Sequence, residues 1–294
     1  MDDTARLLFE SKAIEICPEE MPFWYTSGKI GPYYINTHFL YGDKNSANRL
    51  LDIINKAKED KNTCSKVILD ELLKNYNENM IYKKVIDSMK YFINEKIDLN
   101  TVDGISGGER RDWFFSLILA KLFDLPHITI FKDMEAIVFY NGKSKEESDY
   151  KGKKFLHIVD LINEASSFER AWIKKKKKKN GKILWNASVV DRNQGGTQYL
   201  ESRGIHTYSL FSVKRELFEM ALREGMISKG QFDLIKLYIE NPEDTMKEFL
   251  LKNSSFIRQS LSKDAKTRER VQIFLKNNVY NLEEKYINSF NYTE

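Results

Sequence analysis

The segment FLHIVDLINEASS, residues Phe155–Ser167, joins a short apolar run to an acid and then to small polar residues. A bounded apolar run of about four to eight residues is typical of a buried strand. The acid at its end, Asp160, can accept hydrogen bonds from sugar hydroxyl groups. Ser166 and Ser167 can cap the next helix and present backbone N–H groups to a phosphate. The segment therefore predicts a strand followed by a phosphate-binding loop, although a plain helix cap would explain the two serines equally well.

Short apolar runs alternate with helical patterns on either side of this segment. Further strands are predicted at residues 102–105, 128–131, 183–190 and 207–211, and helices at residues 111–123, 168–179 and 195–202. The helix at 111–123 is apolar on almost every side, which predicts that it is deeply buried. Strands and helices that alternate in this way predict an α/β fold, an open parallel sheet flanked by helices.

Two stretches show helical periodicity without strands. Residues 46–96 carry apolar residues at helical spacing and predict a helical insertion. After Val213 the strand signal ends, and residues 214–294 predict a helical C-terminal extension. The sequence therefore predicts two parts, an α/β domain over residues 1–213 and the extension that follows it.

Composition narrows the class of protein. The chain has 294 residues, of which 41% are hydrophobic and 31% charged, as in ordinary globular proteins. Its formal net charge of +4 is too small to indicate nucleic acid by itself, but it suits an anionic small ligand. The chain has two cysteines, Cys17 and Cys64, which are too few for a disulfide framework. No second pair of metal ligands lies beside them in the sequence, so a zinc site is not predicted either.

The sequence gives no signal for a membrane, a secretory path or a nucleic acid. No stretch approaches the roughly 20 apolar residues of a membrane span, and the acidic start at Met1 is no secretory signal, so we expect a cytoplasmic protein. The basic run Lys174–Lys179 could bind nucleic acid. No aromatic residues are interleaved with it to stack on bases, which favours a solvated helix end and leaves nucleic-acid binding as the weaker alternative.

Two further segments follow predicted strands, where open parallel sheets bind their ligands. Gly104–Gly108 is predicted to lie between a strand and a helix, and its small residues would let backbone N–H groups approach an anion, although a simple tight turn is an alternative. Arg110 and Arg111 come directly after it. In DRNQGG, which begins at Asp191, the planar fork of Arg192 suits a carboxylate or a phosphate. A salt bridge between Arg192 and Asp191 is the alternative there.

Four segments in this order resemble the orotate phosphoribosyltransferase family, one of the type I phosphoribosyltransferases. Phe155–Ser167 is similar to the family's signature for phosphoribosyl pyrophosphate (PRPP). Thr26–Asn36 is similar to its N-terminal element, Gly104–Gly108 to its pyrophosphate loop, and Asp191–Gly196 to its Asp-Arg-Gln segment. Order and spacing match over residues 1–213. The resemblance implies a type I phosphoribosyltransferase-like sheet.

The resemblance also implies an activity of pyrimidine biosynthesis, the formation of orotidine 5′-monophosphate and pyrophosphate from orotate and PRPP. A Mg²⁺ ion would be held mainly through PRPP oxygens, and the protein would be a homodimer. Asp160 would hold the ribose hydroxyls, and Lys132 would begin the mobile catalytic loop of the family. Gly107 and Gly108 would face the pyrophosphate, and Arg192 would pair with the orotate carboxylate.

The remaining roles implied by the resemblance concern substrate binding. Tyr33 and Tyr34 would line the base pocket, and Lys29 of the same element would also bind substrate. The 5′-phosphate would be held by three residues of the PRPP loop: Asn163, Ser166 and Ser167.

Several positions depart from the family's pattern. Val159 stands in place of the first acid of the PRPP signature, Ala165 in place of the loop glycine, and Glu164 adds a negative charge. The residues after Lys132 lack the basic cluster of the mobile loop, for which Arg110, Arg111, Lys143 and Lys145 are candidate replacements. These departures support a second hypothesis, a non-catalytic regulatory protein that binds PRPP or a nucleotide on the same fold.

Overall fold

The computed structural model of the chain describes residues 3–146, 149–163 and 181–290. These residues form two compact units. The first comprises Met1–Ala13 and Asn36–Val213, and the second comprises Ile14–Ile35 and Lys214–Glu294. The sequence placed residues 14–35 in the α/β domain, whereas the structure groups them with the C-terminal helices.

The strands of the described residues are, in chain order, β1 (Ile14–Ile16), β2 (Phe23–Trp24), β3 (Ile30–Gly31), β4 (Tyr33–Ile35), β5 (Gly104–Gly108), β6 (His127–Ile130), β7 (Ala136–Tyr140), β8 (Lys143–Glu146), β9 (Lys154–Ile162), β10 (Lys182–Asp191) and β11 (His206–Ser212). The α-helices are α1 (Leu7–Glu10), α2 (Lys44–Ala57), α3 (Lys61–Glu78), α4 (Met80–Lys96), α5 (Trp113–Leu122), α6 (Gly196–Ser202), α7 (Arg215–Arg223), α8 (Lys229–Glu240), α9 (Pro242–Lys252), α10 (Ser254–Leu261), α11 (Ala265–Asn277) and α12 (Glu284–Asn288). Short 3-10 helices occupy Asp3–Arg6, Thr37–Tyr41 and Leu99–Thr101.

A seven-stranded sheet forms the centre of the first unit. Its strand order is β11-β10-β9-β5-β6-β7-β8. The five strands from β11 to β6 are parallel, and β7 and β8 add an antiparallel hairpin at one edge. The predicted α/β class with an open, mostly parallel sheet flanked by helices is confirmed.

The β7–β8 hairpin differs from the expectation that a mobile catalytic loop begins at Lys132. The run Ala136–Phe139 is buried and pairs with β6, so it is sheet and not loop. Asn141 and Gly142 then turn the chain with φ angles of 49° and 74°. Two consecutive positive φ angles are typical of the tight hairpin turns that Asn-Gly favours.

Two strand boundaries also differ from the predicted ones. Gly104–Gly108, expected as a loop, is the strand β5 itself. Its glycines allow close packing, because a Cβ atom at Gly107 would lie 2.1 Å from Ser116 Oγ of α5. Strand β9 continues to Ile162, which pairs with Asp191, so Asp160 lies within the strand and not after it.

Helix α5 is the most deeply buried helix of the described first unit. Residues Trp113–Ala120 are all buried, which confirms the burial predicted from their apolar pattern. Trp113 Nε1 donates a hydrogen bond to Gly107 O at 3.0 Å, so the start of α5 is fixed against β5. Helices α3 and α4 pack against α5. The predicted helical stretch at 46–96 is thus the three helices α2, α3 and α4.

The second unit has its own apolar core. Residues 14–35 form two antiparallel strand pairs, β1 with β4 and β2 with β3. The indole of Trp24 stacks on Phe256, with ring centroids 5.6 Å apart, and its Nε1 donates to Ser260 Oγ at 2.8 Å. Tyr280 OH accepts a hydrogen bond from the Ile30 backbone N–H at 2.8 Å. These contacts explain why residues 14–35 group with the C-terminal helices.

Among the helices of the described residues, none has both the length and the apolar character needed to cross a membrane.

Candidate functional site

Four neighbouring strands of the first unit end at the same edge of the sheet. They are β10, β9, β5 and β6, all of them parallel. Ligands of open α/β sheets bind beyond such carboxyl ends. This edge brings together six residues that the sequence singled out: Gly107, Gly108, Lys132, Asp160, Asn163 and Arg192.

The tips of β5 and β9 separate before either strand ends. Their pairing stops at Ser106 and His157, although β9 continues to Ile162 along β10. A carboxyl group occupies this opening. Asp112 Oδ2 accepts the Gly108 backbone N–H at 3.0 Å, and Asp112 Oδ1 accepts the Asp160 backbone N–H at 3.0 Å. One side chain therefore joins the two strand tips.

Asp112 was not identified from the sequence. It directly precedes α5, where an aspartate ordinarily caps the helix, but its side chain makes no capping hydrogen bond. Its partners lie on two strands instead. The N–H of Gly108 is bonded to Asp112, and the role of Gly107 and Gly108 towards a pyrophosphate stays a prediction.

The carboxyl groups of Asp112 and Asp160 form a strongly perturbed pair. Burial raises the pKa of Asp160 to about 6, and the positive charge of Arg111 opposes that shift. Burial, with the neighbouring Asp160 charge, raises the pKa of Asp112 well above its usual value. Perturbed acids of this kind cluster at functional sites.

Arg111 acts on a second titratable group, His38, which lies on the 3-10 helix Thr37–Tyr41. Burial lowers the pKa of His38 to about 3, and the charges of Arg111 and Arg110 lower it further. The imidazole is therefore neutral at physiological pH. It is 3% exposed, and its Nδ1 finds no hydrogen-bond partner within the described part of the chain. His38 is another residue that the sequence did not point to.

Helix α2 and the corner after it hold the two loops that follow β5 and β6. Glu109 Oε1 pairs with Lys58 Nζ at 2.9 Å, and Glu109 Oε2 accepts the Lys132 backbone N–H at 2.9 Å. Arg110 Nη1 donates to Asn55 Oδ1 at 3.0 Å. The side chain of Lys132 is exposed at this edge. The helical insertion therefore helps to shape the edge where substrates are expected.

The segment after β6 is a short turn. Phe131 N–H donates to Glu135 O at 2.9 Å, and Met134 N–H donates to Phe131 O at 2.9 Å. Lys61 Nζ forms ion pairs with the carboxylates of Asp133 and Glu135. The mobile loop expected to begin at Lys132 is therefore a closed turn that leads into β7.

At the end of β10, the side chain of Asp191 accepts hydrogen bonds from residues close to it in the sequence. Its Oδ1 accepts the Asn193 N–H at 2.8 Å, and its Oδ2 accepts the Thr197 hydroxyl at 2.7 Å. No salt bridge between Asp191 and Arg192 is found among the described residues, and a salt bridge from Arg192 to another neighbour stays an alternative. The half-buried Arg192 donates its backbone N–H to Ile162 O at 3.0 Å.

Asn163 directly follows Ile162, so the hydrogen bond from the Arg192 backbone N–H to Ile162 O also makes Arg192 and Asn163 neighbours. Helix α6 begins at Gly196, where a Cβ atom would lie 2.2 Å from Asn163 O. Only a glycine permits this approach. The start of α6 and the end of β9 are thus packed closely on either side of Arg192. Ser166, Ser167 and the run Lys174–Lys179 lie outside the described residues.

Lys29, Tyr33 and Tyr34 belong to the second unit. Lys29 Nζ pairs with Glu243 Oε1 at 2.5 Å in an exposed ion pair. The buried ring of Tyr33 packs on Phe218, with centroids 5.2 Å apart. All three residues are thus engaged with side chains of their own unit.

Tyr34 is fixed at its hydroxyl group. The hydroxyl donates to Trp24 O at 2.5 Å and accepts from Arg270 Nη1 at 2.6 Å. Arg270 Nη1 also donates to Trp24 O at 2.8 Å. The role of these tyrosines in a base pocket stays a prediction.

A metal ion held by the protein alone would need several ligands in one place. No group of three or more His, Cys, Asp or Glu side chains within residues 3–146, 149–163 and 181–290 could hold one. The edge instead offers the carboxyl oxygens of Asp160. Such a set suits an ion that keeps most of its ligands from a bound phosphate compound and from water.

Comparison with curated proteins finds relatives at modest identity. No family model matches it. The orotate phosphoribosyltransferase of Sulfurisphaera tokodaii is 25% identical over 232 residues, which cover 79% of this chain and 90% of that protein. The enzyme of the same name from Sulfolobus acidocaldarius is 28% identical over 93 residues, 32% of this chain and 46% of that protein.

Solved structures share the fold. The UMP synthase of Leishmania donovani superposes with a TM-score of 0.55 at 15% identity, over 81% of this chain and 42% of the synthase chain. The orotate phosphoribosyltransferase of Francisella tularensis superposes with a TM-score of 0.51 at 16% identity, over 80% of this chain and 96% of that chain. The chain is thus similar in sequence to curated orotate phosphoribosyltransferases, and it shares the fold of the solved UMP synthase and orotate phosphoribosyltransferase.

Proposed function

We propose that the chain is a Mg²⁺-dependent phosphoribosyltransferase that forms orotidine 5′-monophosphate and pyrophosphate from orotate and PRPP. The observation that supports this most is the arrangement at one edge of the sheet. There an acid (Asp160), a small-residue strand end (Gly108) and an unpaired guanidinium among the described residues (Arg192) follow neighbouring strands. The acid suits the hydroxyl groups of a sugar, and the small-residue strand end suits the close approach of a phosphate group. The cation suits a carboxylate.

In the proposed reaction the pyrimidine nitrogen displaces pyrophosphate at the anomeric carbon, so a C–N bond forms as a C–O bond breaks. Asp160 accepts hydrogen bonds from the ribose hydroxyls, and Arg192 holds the orotate carboxylate. No covalent intermediate with the protein is needed. Positioning of the two substrates and neutralisation of the leaving pyrophosphate lower the barrier. Mg²⁺, held mainly by PRPP oxygens, supplies part of that neutralising charge.

Arg111 is the best-placed cation for the leaving pyrophosphate. It is exposed, it follows the end of β5 by three residues, and its charge acts on Asp160. Arg110 is already bonded to Asn55. Lys143 and Lys145 lie on β8, three strands from β5, which corresponds to about 14 Å across the sheet. Among the candidate replacements for the missing basic loop, Arg111 is therefore preferred.

The test is turnover of orotate with PRPP and Mg²⁺, followed by release of pyrophosphate and by the formation of orotidine 5′-monophosphate. Arg192→Ala should lower kcat/KM for orotate by about 100-fold or more, because a bidentate charged contact is lost. Arg192→Lys keeps the charge but not the planar fork, so its kcat/KM for orotate should lie between those of the unmodified protein and of Arg192→Ala. PRPP should stabilise all three proteins equally against heat.

Stabilisation by PRPP without any turnover would instead support the regulatory protein, since a ligand that binds only the folded state stabilises it whether or not it reacts. Absence of both turnover and stabilisation would contradict the proposal and the alternative together. A homodimer is part of the same proposal, and sedimentation equilibrium of the full chain measures it directly.

A further inference from the structure

The ribose site of the first unit has one acid on β9 where its PRPP signature would have two. The side chain of Val159 packs against the apolar cluster that contains Ile162 and Leu200. Neighbouring residues of a strand point to opposite faces, so Asp160 faces the other way. Strand β9 therefore supplies a single carboxyl group to the open edge.

A second carboxyl group reaches the same place from the residue just before α5. We propose that Asp112 is a positioning residue of the PRPP site, which holds Asp160 and the Gly108 end of β5 in the geometry that binds the ribose and pyrophosphate groups. This inference rests on the proposed function. Asp112 acts through its hydrogen bonds to the backbone N–H groups of Gly108 and Asp160.

The geometry gives this role a physical basis. Where β5 and β9 diverge, the Asp160 N–H loses its ladder partner on β5 and would be unsatisfied without Asp112. Each oxygen of Asp112 accepts one N–H, which fixes the plane of the carboxyl group.

Two consequences follow for the substrate. The backbone of Asp160 is held by Asp112 beside the opening between the strand tips, which fixes the point from which the Asp160 side chain extends. The opening itself keeps a fixed width, because one side chain spans it. Both features pre-organise the site for PRPP and neither touches the expected position of orotate.

The chain offers a matched control for this role. Asp103 precedes β5 at the opposite end of the sheet, and its Oδ2 accepts the backbone N–H of Lys154, the first residue of β9, at 2.7 Å. Asp103 and Asp112 thus make the same kind of bond between the same two strands, one at each end. A purely structural link should be lost with similar effect in Asp103→Ala, which removes this acceptor, and in Asp112→Asn, which removes one of two acceptors.

The experiment compares these two variants with the full-length protein. The dissociation constant of PRPP with Mg²⁺ is measured by calorimetry, and KM for PRPP, KM for orotate and kcat are measured in parallel. Asp112→Asn should weaken PRPP binding and raise its KM by about 10- to 100-fold, because its amide keeps one acceptor oxygen and its NH₂ cannot accept the other N–H. KM for orotate should change less than about threefold, and Asp103→Ala should leave both constants unchanged.

Unchanged PRPP affinity in Asp112→Asn would overturn the inference while the proposed function stood, and so would equal losses in both variants. If the unmodified protein binds PRPP but does not turn over orotate, the proposed function fails and the binding constants still decide the role of Asp112. Should Asp112→Asn not fold, Asp112→Ser, which also keeps one acceptor but on a shorter side chain, decides by the same measurement, and a loss of PRPP affinity at least as large is expected.

Discussion

Glu109 accepts a hydrogen bond from the backbone N–H of Lys132 at 2.9 Å, which ties the loop after β5 to the turn after β6. The same carboxylate forms an ion pair with Lys58, which follows α2. Only 7% of the Glu109 side chain is exposed, so the group is screened from water and its bonds are strong. The helical stretch between residues 44 and 96 thereby takes part in shaping the substrate edge.

Glu109→Ala should destabilise the protein by about 2 kcal/mol, because it leaves a backbone N–H and a lysine without their buried partner. Glu135→Ala is the matched control, since Glu135 is 66% exposed and pairs with Lys61 at the surface. Its loss should change the free energy of unfolding by less than about 0.5 kcal/mol. Urea unfolding measures both, and equal effects would contradict the role given to Glu109.

Asp160→Asn should abolish turnover and yet stabilise the fold at neutral pH. Burial raises the pKa of Asp160 from 3.8 to about 6, so the folded protein binds more protons than the unfolded chain between these values. Stability attributable to this group therefore falls as pH rises from about 4 to 6, and it stays lower above that range. Because asparagine does not ionise, Asp160→Asn should recover the stability that the protein loses at higher pH, which is on the order of 1–3 kcal/mol.

This gain is measured by unfolding at pH 7.5 and again at pH 4, where the difference from the unmodified protein should shrink towards zero. Asp124→Asn serves as the control, because Asp124 is exposed and away from the strand tips. It should change stability by less than about 0.5 kcal/mol at either pH. A lower stability of Asp160→Asn at pH 7.5 would show that its hydrogen bonds outweigh the cost of its buried charge.

Gly107→Ala should destabilise the first unit by about 1–3 kcal/mol, because its Cβ atom would lie 2.1 Å from Ser116 Oγ and 2.7 Å from Ser116 Cβ. Adding Ser116→Gly should recover part of the loss. In Gly108→Ala the new Cβ atom would meet only Asp112 Oδ2, at 3.0 Å, so a smaller effect is expected. Thermal unfolding ranks the three proteins, and a larger loss in Gly108→Ala would refute the packing argument.

A chain truncated after Val213 should aggregate or bind an apolar dye. Residues 14–35 depend on the C-terminal helices, as Trp24 stacks on Phe256 and Ile30 contacts Tyr280. Removal of the helices would expose these apolar side chains. Size-exclusion chromatography and dye fluorescence measure the effect, with Trp24→Phe in the full chain as the control that keeps the ring contact. A monodisperse truncated chain with an unchanged Tm would argue against this dependence.

The strand and helix alternation could be predicted because each element carries its own apolar pattern. The helix apolar on all sides became α5, and the acid at the end of the run 155–159 does lie at the carboxyl edge. Strand ends were less predictable. Gly104–Gly108 resembles a loop in composition, yet its glycines serve the close packing of Ser116 against β5.

Contacts between distant residues could not be predicted. The partner of Asp112 on β9 lies 48 residues away and is a backbone N–H group, which any residue type would supply. The packing of Trp24 involves Ser260, 236 residues later in the chain. The hairpin after β6 did carry a local signal, the dipeptide Asn141-Gly142, but the family resemblance favoured a loop there.

Strand β8 affects how molecules of this protein can associate. It forms one edge of the seven-stranded sheet, it is four residues long, and three of its residues, Lys143, Lys145 and Glu146, are charged and exposed. Edge strands offer unpaired backbone groups to other chains and so invite aggregation, which short length and charge oppose. A second copy added edge to edge would bring lysines against lysines. The short, charged strand β8 therefore opposes edge-to-edge growth of the sheet into fibres. A homodimer would have to form through another surface.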